Sequence, residues 1–434
     1  MKSDIKKSIL SILSAVSISL IATATQAQQK TTTGFDQQRL SRIDSFINRE
    51  IKVQHIPGAT ALIIRNGEIV YNKAFGNADV ATKKTMQLNN IFRIASQSKA
   101  ITSLAAMMLW EENKFLLDDP LSKYIPAFKN PQVVVAFNAK DTTYTTRPAN
   151  REITIRDLLR HTSGIAYPAV FSDPNMWAMY QKAGVPSGIG TSASTLQEKI
   201  AILAKLPLQH DPGAAFTYGL NTDILGYLVE IWSGQPLDVF LQKRIFEPLE
   251  MKDTYFHLPK EKQNRLVTLY ENIGNTLLPV THPIYEGVDP DFPKLHGTYL
   301  SGGAGLSSTI EDYAKFLTFY LNKGIYKNKR LISRKTIEYM LTNNLPEGTK
   351  SSPFPAQPDD IQFGLSGFSL ETAKNDYLSP LSIGAFRWEG AFNTHGWVDP
   401  KENLIGLFFT QEYLSPYWRI GEEFKVLTYQ AIND

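Results

Sequence analysis

The sequence of 434 residues contains no cysteine. This absence excludes disulfide bonds, cysteine nucleophiles and thiolate metal sites. The sequence also lacks an excess of charge, since 45 Lys and Arg residues face 42 Asp and Glu residues, for a formal net charge of +3. Without a long basic run, nucleic-acid binding is not expected, because nucleic-acid-binding proteins carry a strongly basic face. A hydrophobic fraction of 43% and a charged fraction of 20% are typical of a globular protein.

The N-terminal segment has the pattern of an export signal. Three lysines precede an apolar stretch at 9–24, and a small-x-small triplet follows at 25–27. We expect residues 1–27 to be a secretory signal peptide that is removed by cleavage. The apolar stretch is interrupted by serines and is shorter than the ~20 residues that a membrane span needs. The mature chain is therefore predicted to be exported to a periplasm or secreted, with no membrane span.

Patterns along the mature chain predict a sheet domain interrupted by a helical one. Two apolar runs flank Asn66-Gly67, which is the strongest short signal of a β-hairpin. Helical spacing predicts a long buried helix over 96–114, and strand-like sequence returns at 383–411. We predict an α+β fold, an αβα sandwich with an antiparallel sheet, plus an inserted, mainly helical domain. The predicted boundaries are 28–114 and 300–434 for the discontinuous sheet domain and 115–299 for the helical domain.

Signals for a cofactor are weak. Residues 188–193 match the glycine pattern of a dinucleotide-binding loop, but no strand precedes them, so we interpret them as a loop and helix cap. The sequence has no P-loop, no H-E-x-x-H metal motif and no G-x-S-x-G nucleophile elbow. Its seven histidines are scattered. We expect neither a metal ion nor an organic cofactor.

Ser96 and Lys99, at the start of the predicted long helix, are candidates for catalysis. Residues three apart share one face of a helix. A serine hydroxyl is a poor nucleophile and needs an adjacent base. Lys99 can be that base if burial and the helix dipole lower the pKa of its amine. The S-x-x-K pattern alone is weak, since an N-cap serine beside a surface lysine also explains it.

Six further segments follow this pair in order. They are Leu-Asp-Asp-Pro-Leu at 117–121, Leu-Leu-Arg-His-Thr-Ser-Gly at 158–164, Pro-Gly at 212–213, the segment 218–226, Ser-Gly-Gly-Ala-Gly-Leu at 301–306 and Trp-Val-Asp-Pro at 397–400. Together with Phe-Arg-Ile-Ala-Ser-Gln-Ser-Lys at 92–99, they make the chain resemble the superfamily of serine β-lactamases and penicillin-binding proteins, in its class C-like branch. That branch includes carboxylesterases and D-amino-acid peptidases. The resemblance implies a β-lactamase/transpeptidase-like fold, catalysis by Ser96 and Lys99, and a site between the two domains.

The resemblance adds Tyr218 as a third catalytic residue, a base or proton relay. Burial raises the pKa of a phenol and nearby ammonium groups lower it, so beside Lys99 this tyrosine is expected to shuttle protons. The family's motif is Tyr-x-Asn, whereas here Leu220 stands at the asparagine position and Asn221 follows one residue late. This departure is similar to the esterase-type members. Asn221 is retained as a candidate substrate-binding residue.

The family's third motif, Lys-Thr-Gly on a strand along the cleft, is replaced by Trp388, Glu389 and Gly390. The cation that holds a substrate carboxylate in this family is therefore missing, and Trp388 offers an aromatic wall instead. Gly390 fits a close approach of two backbones. By the resemblance, the N–H groups of Ser96 and Ala391 form the oxyanion hole. Glu389 could repel anionic substrates, bind a substrate amine, or simply face solvent.

We expect an exported serine hydrolase that forms a covalent acyl-enzyme, most simply a carboxylesterase acting on small esters. The missing cation and the missing asparagine favour an ester, and Trp388, Phe392 and Trp397 would suit an apolar acyl or alcohol group. The enzymatic alternatives are a β-lactamase and a D-Ala-type peptidase or amidase, which act on lactams and amides. The alternative from another class is a non-catalytic penicillin- or wall-binding module.

Overall fold

The protein is represented by a computed structural model that describes residues 34–168, 173–190, 194–285, 287–349, 362–374 and 379–434. The predicted signal peptide at 1–27 lies outside the described residues. Among the helices in these ranges, none combines the length and the apolar character that crossing a membrane requires.

The strands are short except near the two ends of the described chain. In chain order they are β1 (Gly58–Arg65), β2 (Glu68–Asp79), β3 (Lys84–Thr85), β4 (Phe92–Arg93), β5 (Gln132–Asn138), β6 (Thr143–Pro148), β7 (Tyr270–Ile273), β8 (Thr276–Pro279), β9 (Ser307–Ser308), β10 (Ile325–Tyr326), β11 (Lys329–Arg330), β12 (Gln362–Phe363), β13 (Ser369–Leu370), β14 (Phe386–Gly390), β15 (Thr394–Asp399) and β16 (Leu404–Phe409). Eight of them form one antiparallel sheet in the order β12-β13-β14-β15-β16-β1-β2-β3. The remaining strands pair as β4-β9, β5-β6, β7-β8 and β10-β11.

Within the described residues, the helices are concentrated between β6 and β7, where five of them follow one another. In chain order, the helices are α1 (Gln37–Lys52), α2 (Ser98–Glu111), α3 (Ile155–Leu159), α4 (Pro174–Ala183), α5 (Leu196–Leu203), α6 (Asn221–Ser233), α7 (Leu237–Leu241), α8 (Ile310–Leu321), α9 (Arg334–Met340) and α10 (Ile420–Tyr429). Short 3-10 helices lie at Ala95–Gln97, Leu121–Lys123, Pro126–Phe128, Lys260–Arg265 and Phe292–Lys294, and a π-helical turn lies at Gln242–Phe246.

The Asn66-Gly67 signal gives the predicted hairpin. Arg65 pairs with Glu68, so the two residues between them form a tight turn. Asn66 has φ 55° and Gly67 has φ 81°. A two-residue turn with positive φ at both positions matches the twist of antiparallel strands, which is why this dipeptide is favoured there. The predicted hairpin is confirmed.

Each face of the sheet is covered by helices. Ala61, Ile63 and Phe408 pack in one apolar cluster with residues of α1 and α10. Their strand neighbours Leu62 and Leu407 pack in a second cluster with residues of α2 and α8. Successive side chains of a strand point to opposite faces, so the uninterrupted apolar runs of β1 and β16 serve two cores. The predicted αβα sandwich with an antiparallel sheet is confirmed.

The described part of 115–299 contains helices α3 to α7 and the hairpins β5-β6 and β7-β8. Helix α2 shares an apolar cluster with strands of the sheet and packs against α6 of this region, and residues 98–109 are all buried. A helix buried on every side has an apolar or small residue at nearly every position. Both parts share one continuous hydrophobic core around α2. The domain boundaries at 114 and 300 stay a prediction.

The described residues of the dinucleotide-like segment, 188–190, lie in a loop. Gly188 and Gly190 both have positive φ, and residues 191–193 lie outside the described part. The cap of the following helix α5 is Thr195, whose side chain accepts a hydrogen bond from the Glu198 backbone N–H. The helix cap is therefore two residues beyond the segment that we assigned to it.

Candidate active site

Ser96 lies in the turn that joins β4 to α2. The backbone N–H of Ile94 donates to the carbonyl of Leu306 at 3.1 Å, and this bond fixes the chain before the turn. Ala95 has φ 40°, a conformation that residues with a side chain rarely adopt. The turn places Ser96 half-buried at the N-terminal end of the α2 helix, where the helix dipole favours developing negative charge.

Lys99 lies one turn further along and is completely buried. Its Nζ is 3.1 Å from Ser96 Oγ and donates to the carbonyl of Gly303 at 2.8 Å. Nζ also lies 4.6 Å from the centre of the Tyr218 ring. Burial lowers the pKa of this amine to about 7, and the attraction of Asp223 partly opposes the shift. Close to neutral pH, a large fraction of Lys99 is therefore uncharged and able to accept the Ser96 proton.

Tyr218 precedes α6 and contacts Ser96. Its side chain is hydrogen-bonded to that of Ser96, and the indole Nε1 of Trp388 donates to its hydroxyl at 3.4 Å. Burial raises the pKa of Tyr218 well above the usual value. Of the two opposing effects expected from the sequence, burial is the larger. Tyr218 is a neutral phenol that can relay protons, and Lys99 is the better base.

The end of β14 touches the turn that carries Ser96. A Cβ atom on Gly390 would lie 3.0 Å from the carbonyl carbon of Ile94 and closer still to its oxygen. The side-chain amide of Gln97 also donates to the carbonyl of Trp388 at 3.3 Å. Within the described residues, the backbone N–H of Ala391 donates to no carbonyl. Gly390 thus permits the close approach that an oxyanion hole of Ser96 and Ala391 needs, while the role of that hole stays a prediction.

Alternation along β14 separates Trp388 from Glu389. Trp388 packs against Tyr218 and Phe363, with ring centres 5.5 Å apart in both pairs. Glu389 instead accepts a hydrogen bond from Arg387 at 2.8 Å, on the face that α10 covers. The proposed role of Glu389 in binding substrate is therefore wrong. Alternation places residues 387 and 389 on one face, and this carboxylate neutralises Arg387.

Asn221 makes its side-chain hydrogen bonds within the protein. It is fully buried, its side-chain oxygen accepts from the Ser163 hydroxyl, and its amide nitrogen lies 3.0 Å from Nδ1 of His161. These bonds tie α6 to the loop of residues 161–164. Because its side-chain oxygen and nitrogen are both engaged within the protein, the interpretation of Asn221 as a substrate-binding residue is replaced by a structural one.

Asp223 is a charged group beside the site that the sequence did not single out. Its side chain is buried, and a Cβ on Gly303 would lie 2.7 Å from its Oδ2. Burial raises the pKa of this carboxyl to about 6, although Ser301 and Lys99 act to lower it. The only signal in the sequence is an acidic residue within the apolar pattern of α6. Asp223 and Lys99 are buried near each other and interact electrostatically, so the protonation of each depends on that of the other.

Two aromatic residues that we expected at the cleft are separated by the sheet. Phe392 packs against Tyr285 and Phe292 in an apolar cluster that also contains Ala95. Trp397 lies on the opposite face, with its ring centre 5.6 Å from that of Phe424 in α10. The expectation that Trp397 lines the site is wrong, whereas Phe392 adjoins the turn of Ser96. Over the described residues, no group of three or more His, Asp and Glu side chains is arranged to hold a metal ion.

Comparison with known proteins finds relatives that are named for two kinds of activity. EstB, an esterase of Burkholderia gladioli, is 28% identical over 291 residues, which cover 64% of this chain and 69% of EstB. A Salmonella typhi protein named as a D-alanyl-D-alanine carboxypeptidase is 29% identical over 413 residues, which cover 90% of this chain and 85% of that protein.

Among solved structures, EstCE1 is described as a hydrolase with promiscuous acyltransferase activity. It superposes with a TM-score of 0.75 at 26% sequence identity, over 90% of this chain and 99% of its own. The match to the Beta-lactamase family extends over residues 43–428, which includes Ser96, Lys99 and Tyr218. With this match over most of its length and the same fold, the chain belongs to the beta-lactamase family.

Proposed function

We propose that this protein is a serine hydrolase that forms an acyl-enzyme on Ser96 and cleaves carboxylic esters. The observation that carries the proposal is the buried amine of Lys99, with a pKa near 7, at 3.1 Å from the Ser96 hydroxyl, which Tyr218 also contacts. A base whose pKa lies near the working pH is effective, because it is available in the right form and still binds the proton well.

In the first half of the reaction, neutral Lys99 takes the proton of Ser96 while Oγ attacks the ester carbonyl carbon. The N–H groups of Ser96 and Ala391 stabilise the negative oxygen of the tetrahedral intermediate. When this intermediate collapses, the bond to the alcohol oxygen breaks. The alcohol oxygen takes a proton from Tyr218, which regains one from the Lys99 ammonium group.

In the second half, water attacks the acyl carbon. Its proton passes to Lys99 by way of Tyr218, and the oxygen of Ser96 leaves with a proton to restore the hydroxyl. The steps consume one water and release one alcohol and one carboxylic acid. The residues that perform them are Ser96, Lys99 and Tyr218, together with the two backbone donors.

The choice of an ester rests on the charge of the cleft wall. At the position where the resemblance expects a cation for a substrate carboxylate, Trp388 packs its ring against Tyr218. A neutral, partly apolar substrate suits such a surface, whereas a carboxylate would be desolvated without a partner. The esterase EstB and the hydrolase EstCE1 support the same choice.

We propose further that the protein is exported and that residues 1–27 are its signal peptide. The support is the basic, apolar and small-residue pattern of this segment. Expression of the full chain in a bacterial host, followed by fractionation and N-terminal sequencing, tests it. A mature N-terminus after Ala27 in the exported fraction is expected, and an intact N-terminus in the cytoplasm would refute it.

The experiment for catalysis is intact-mass spectrometry combined with kinetics. The mature protein and its Ser96→Ala variant are incubated in parallel with a short-chain p-nitrophenyl ester, a fluorophosphonate and a penicillin. Ester turnover and a fluorophosphonate adduct, both absent in Ser96→Ala, are expected. A stable penicilloyl adduct without ester turnover would replace the esterase by a penicillin-recognising enzyme. No adduct from any reagent on folded protein would favour the non-catalytic binding module.

A further inference from the structure

The turn between β14 and β15, residues 391–393, carries the proposed oxyanion donor and is held by its neighbours. We call it the oxyanion turn. Within it, the N–H of Asn393 donates to the carbonyl of Gly390 at 2.9 Å. From outside, the N–H of Glu412 donates to the carbonyl of Phe392 at 3.1 Å. The residues that follow β16 therefore position this turn from behind.

The side chain of Asn393 adds a second attachment. Asn393 has φ 65°, and it is completely buried. Its amide nitrogen donates to a carboxylate oxygen of Glu412 at 2.6 Å, and its amide oxygen lies 2.7 Å from Nε2 of His395. The histidine N–H fixes which end of the amide faces Glu412, because the reversed amide would place two acceptors together.

Glu412 gathers donors from three segments of the chain. Besides Asn393, it accepts hydrogen bonds from the side chains of Asn272 at 2.8 Å and Ser415 at 3.0 Å. Its side chain is fully buried, and among the described residues no lysine or arginine forms an ion pair with it. Three neutral donors around one buried carboxyl match the ionised form, because a carboxylate only accepts hydrogen bonds.

We propose that Glu412 is a positioning residue: its carboxylate, acting through Asn393, holds the N–H of Ala391 in the oxyanion hole, and protonation of the carboxylate loosens that hold. This inference rests on the proposed function, since it assigns a device to the same site. Charge-assisted hydrogen bonds are roughly twice as strong as neutral ones, so loss of the charge weakens the attachment of the turn.

The environment sets the pH at which this happens. Burial raises the pKa of Glu412 to about 7, against the effect of its three donors. Burial also lowers the pKa of His395 to about 4, so this histidine stays neutral. On the Glu412 side, the other titratable or charged groups around the network are His55 stacked on Tyr417, Glu50 bonded to His55, Tyr270, Tyr413, and Arg93 bonded to Gln411. On the His395 side, they are Arg387, Glu389, Glu422 and Lys425. Above about pH 7, the hold is complete, and below it, the hold is lost as the carboxyl binds a proton.

The test is the pH dependence of kcat/KM for p-nitrophenyl butyrate in wild type and Glu412→Gln. In wild type, kcat/KM is expected to fall below about pH 7 as two protons bind, one to Lys99 and one to Glu412. In Glu412→Gln, kcat/KM is expected to fall as a single proton binds, the one on Lys99. At high pH, its kcat is expected to be about tenfold lower with little change in KM, less than the ~10²-fold cost of deleting an oxyanion donor. The control is Glu423→Gln on α10, whose carboxylate is half exposed.

A second variant works in the opposite direction. Asn272→Asp places a second carboxyl beside Glu412 and should raise the pKa of the latter, so the acid limb moves to higher pH. This arm remains informative if Glu412→Gln does not fold. Wild-type ester turnover with unchanged pH profiles in the folded variants would overturn this inference alone. If the folded wild type shows no ester turnover and is not labelled by the fluorophosphonate, the proposed function is overturned as well.

Discussion

Gly390 offers a quantitative test of how close the oxyanion turn must lie to Ser96. In Gly390→Ala, the new Cβ would lie 3.0 Å from the carbonyl carbon of Ile94 and nearer to its oxygen and to Oγ1 of Thr394. Non-bonded carbon atoms reach their optimum at about 3.5–4.0 Å, so relief requires a shift of about 1 Å. The contacted atoms of Ile94 belong to the backbone that leads into the Ser96 turn. The shift would therefore separate the two oxyanion donors.

The magnitude follows from this displacement. A misplacement of about 1 Å costs about 10²-fold in rate, which corresponds to about 2.7 kcal/mol of transition-state stabilisation. We expect kcat/KM for p-nitrophenyl butyrate to fall by about this factor, mainly through kcat, since the oxyanion forms only in the transition state. The crowded contact should also lower the free energy of unfolding by about 1–3 kcal/mol.

The assay combines steady-state kinetics with thermal unfolding. The matched control is Gly226→Ala in α6, where the same methyl group would meet a flexible leucine side chain at 3.0 Å. A helical glycine replaced by alanine tends to gain stability, so this control should stay folded and active. If Gly390→Ala is folded and retains kcat/KM within about threefold of wild type, the close approach is not needed for the oxyanion hole, and the reasoning fails.

Three further predictions concern charge. Asp223→Asn removes the attraction that raises the pKa of Lys99, and Lys99 acts as the neutral amine, so the acid limb of kcat/KM should move to lower pH; a shift to higher pH would contradict the assignment. Tyr218→Phe should lower kcat by about 10²–10⁴-fold, and full activity of this variant in ester turnover would remove Tyr218 from the proton relay. In Glu389→Gln, the ratio of kcat/KM for a neutral ester to that for an amine-bearing ester should be unchanged, because the Glu389 carboxylate pairs with Arg387 on the other face of the sheet. A selective loss of kcat/KM for the amine-bearing ester would show that Glu389 contacts the substrate.

Local sequence rules predicted the parts of the fold that depend on near neighbours. The turn at Asn66-Gly67 needs only two residues that tolerate positive φ between apolar runs. The alignment of Ser96 with Lys99 needs only the pitch of a helix. The continuous apolar runs of β1 and β16 likewise require cover on both faces of the sheet. In each case, the relevant interactions lie within a few residues or follow from the period of one element.

The contacts that individual side chains make were harder to predict. Alternation along the strand places Glu389 with Arg387 on the face opposite Trp388, whereas the resemblance drew attention to the position of Glu389 in the motif. Asn221 was assigned by its distance from a tyrosine along the chain, whereas His161 and Ser163 take its hydrogen bonds. A hydrogen-bond partner 58 residues away cannot be read from spacing.

The sequence by itself determined the candidate nucleophile Ser96, its neighbouring Lys99, the order of the segments and the sandwich that they build. Only the tertiary structure decided the protonation of the site. Lys99 is a candidate base because several segments bury it, and Tyr218 stays a neutral phenol for the same reason. Asp223 and Glu412 matter because folding places their carboxyls in the interior. Burial and charge separation depend on distances in space, which a linear order of residues does not contain.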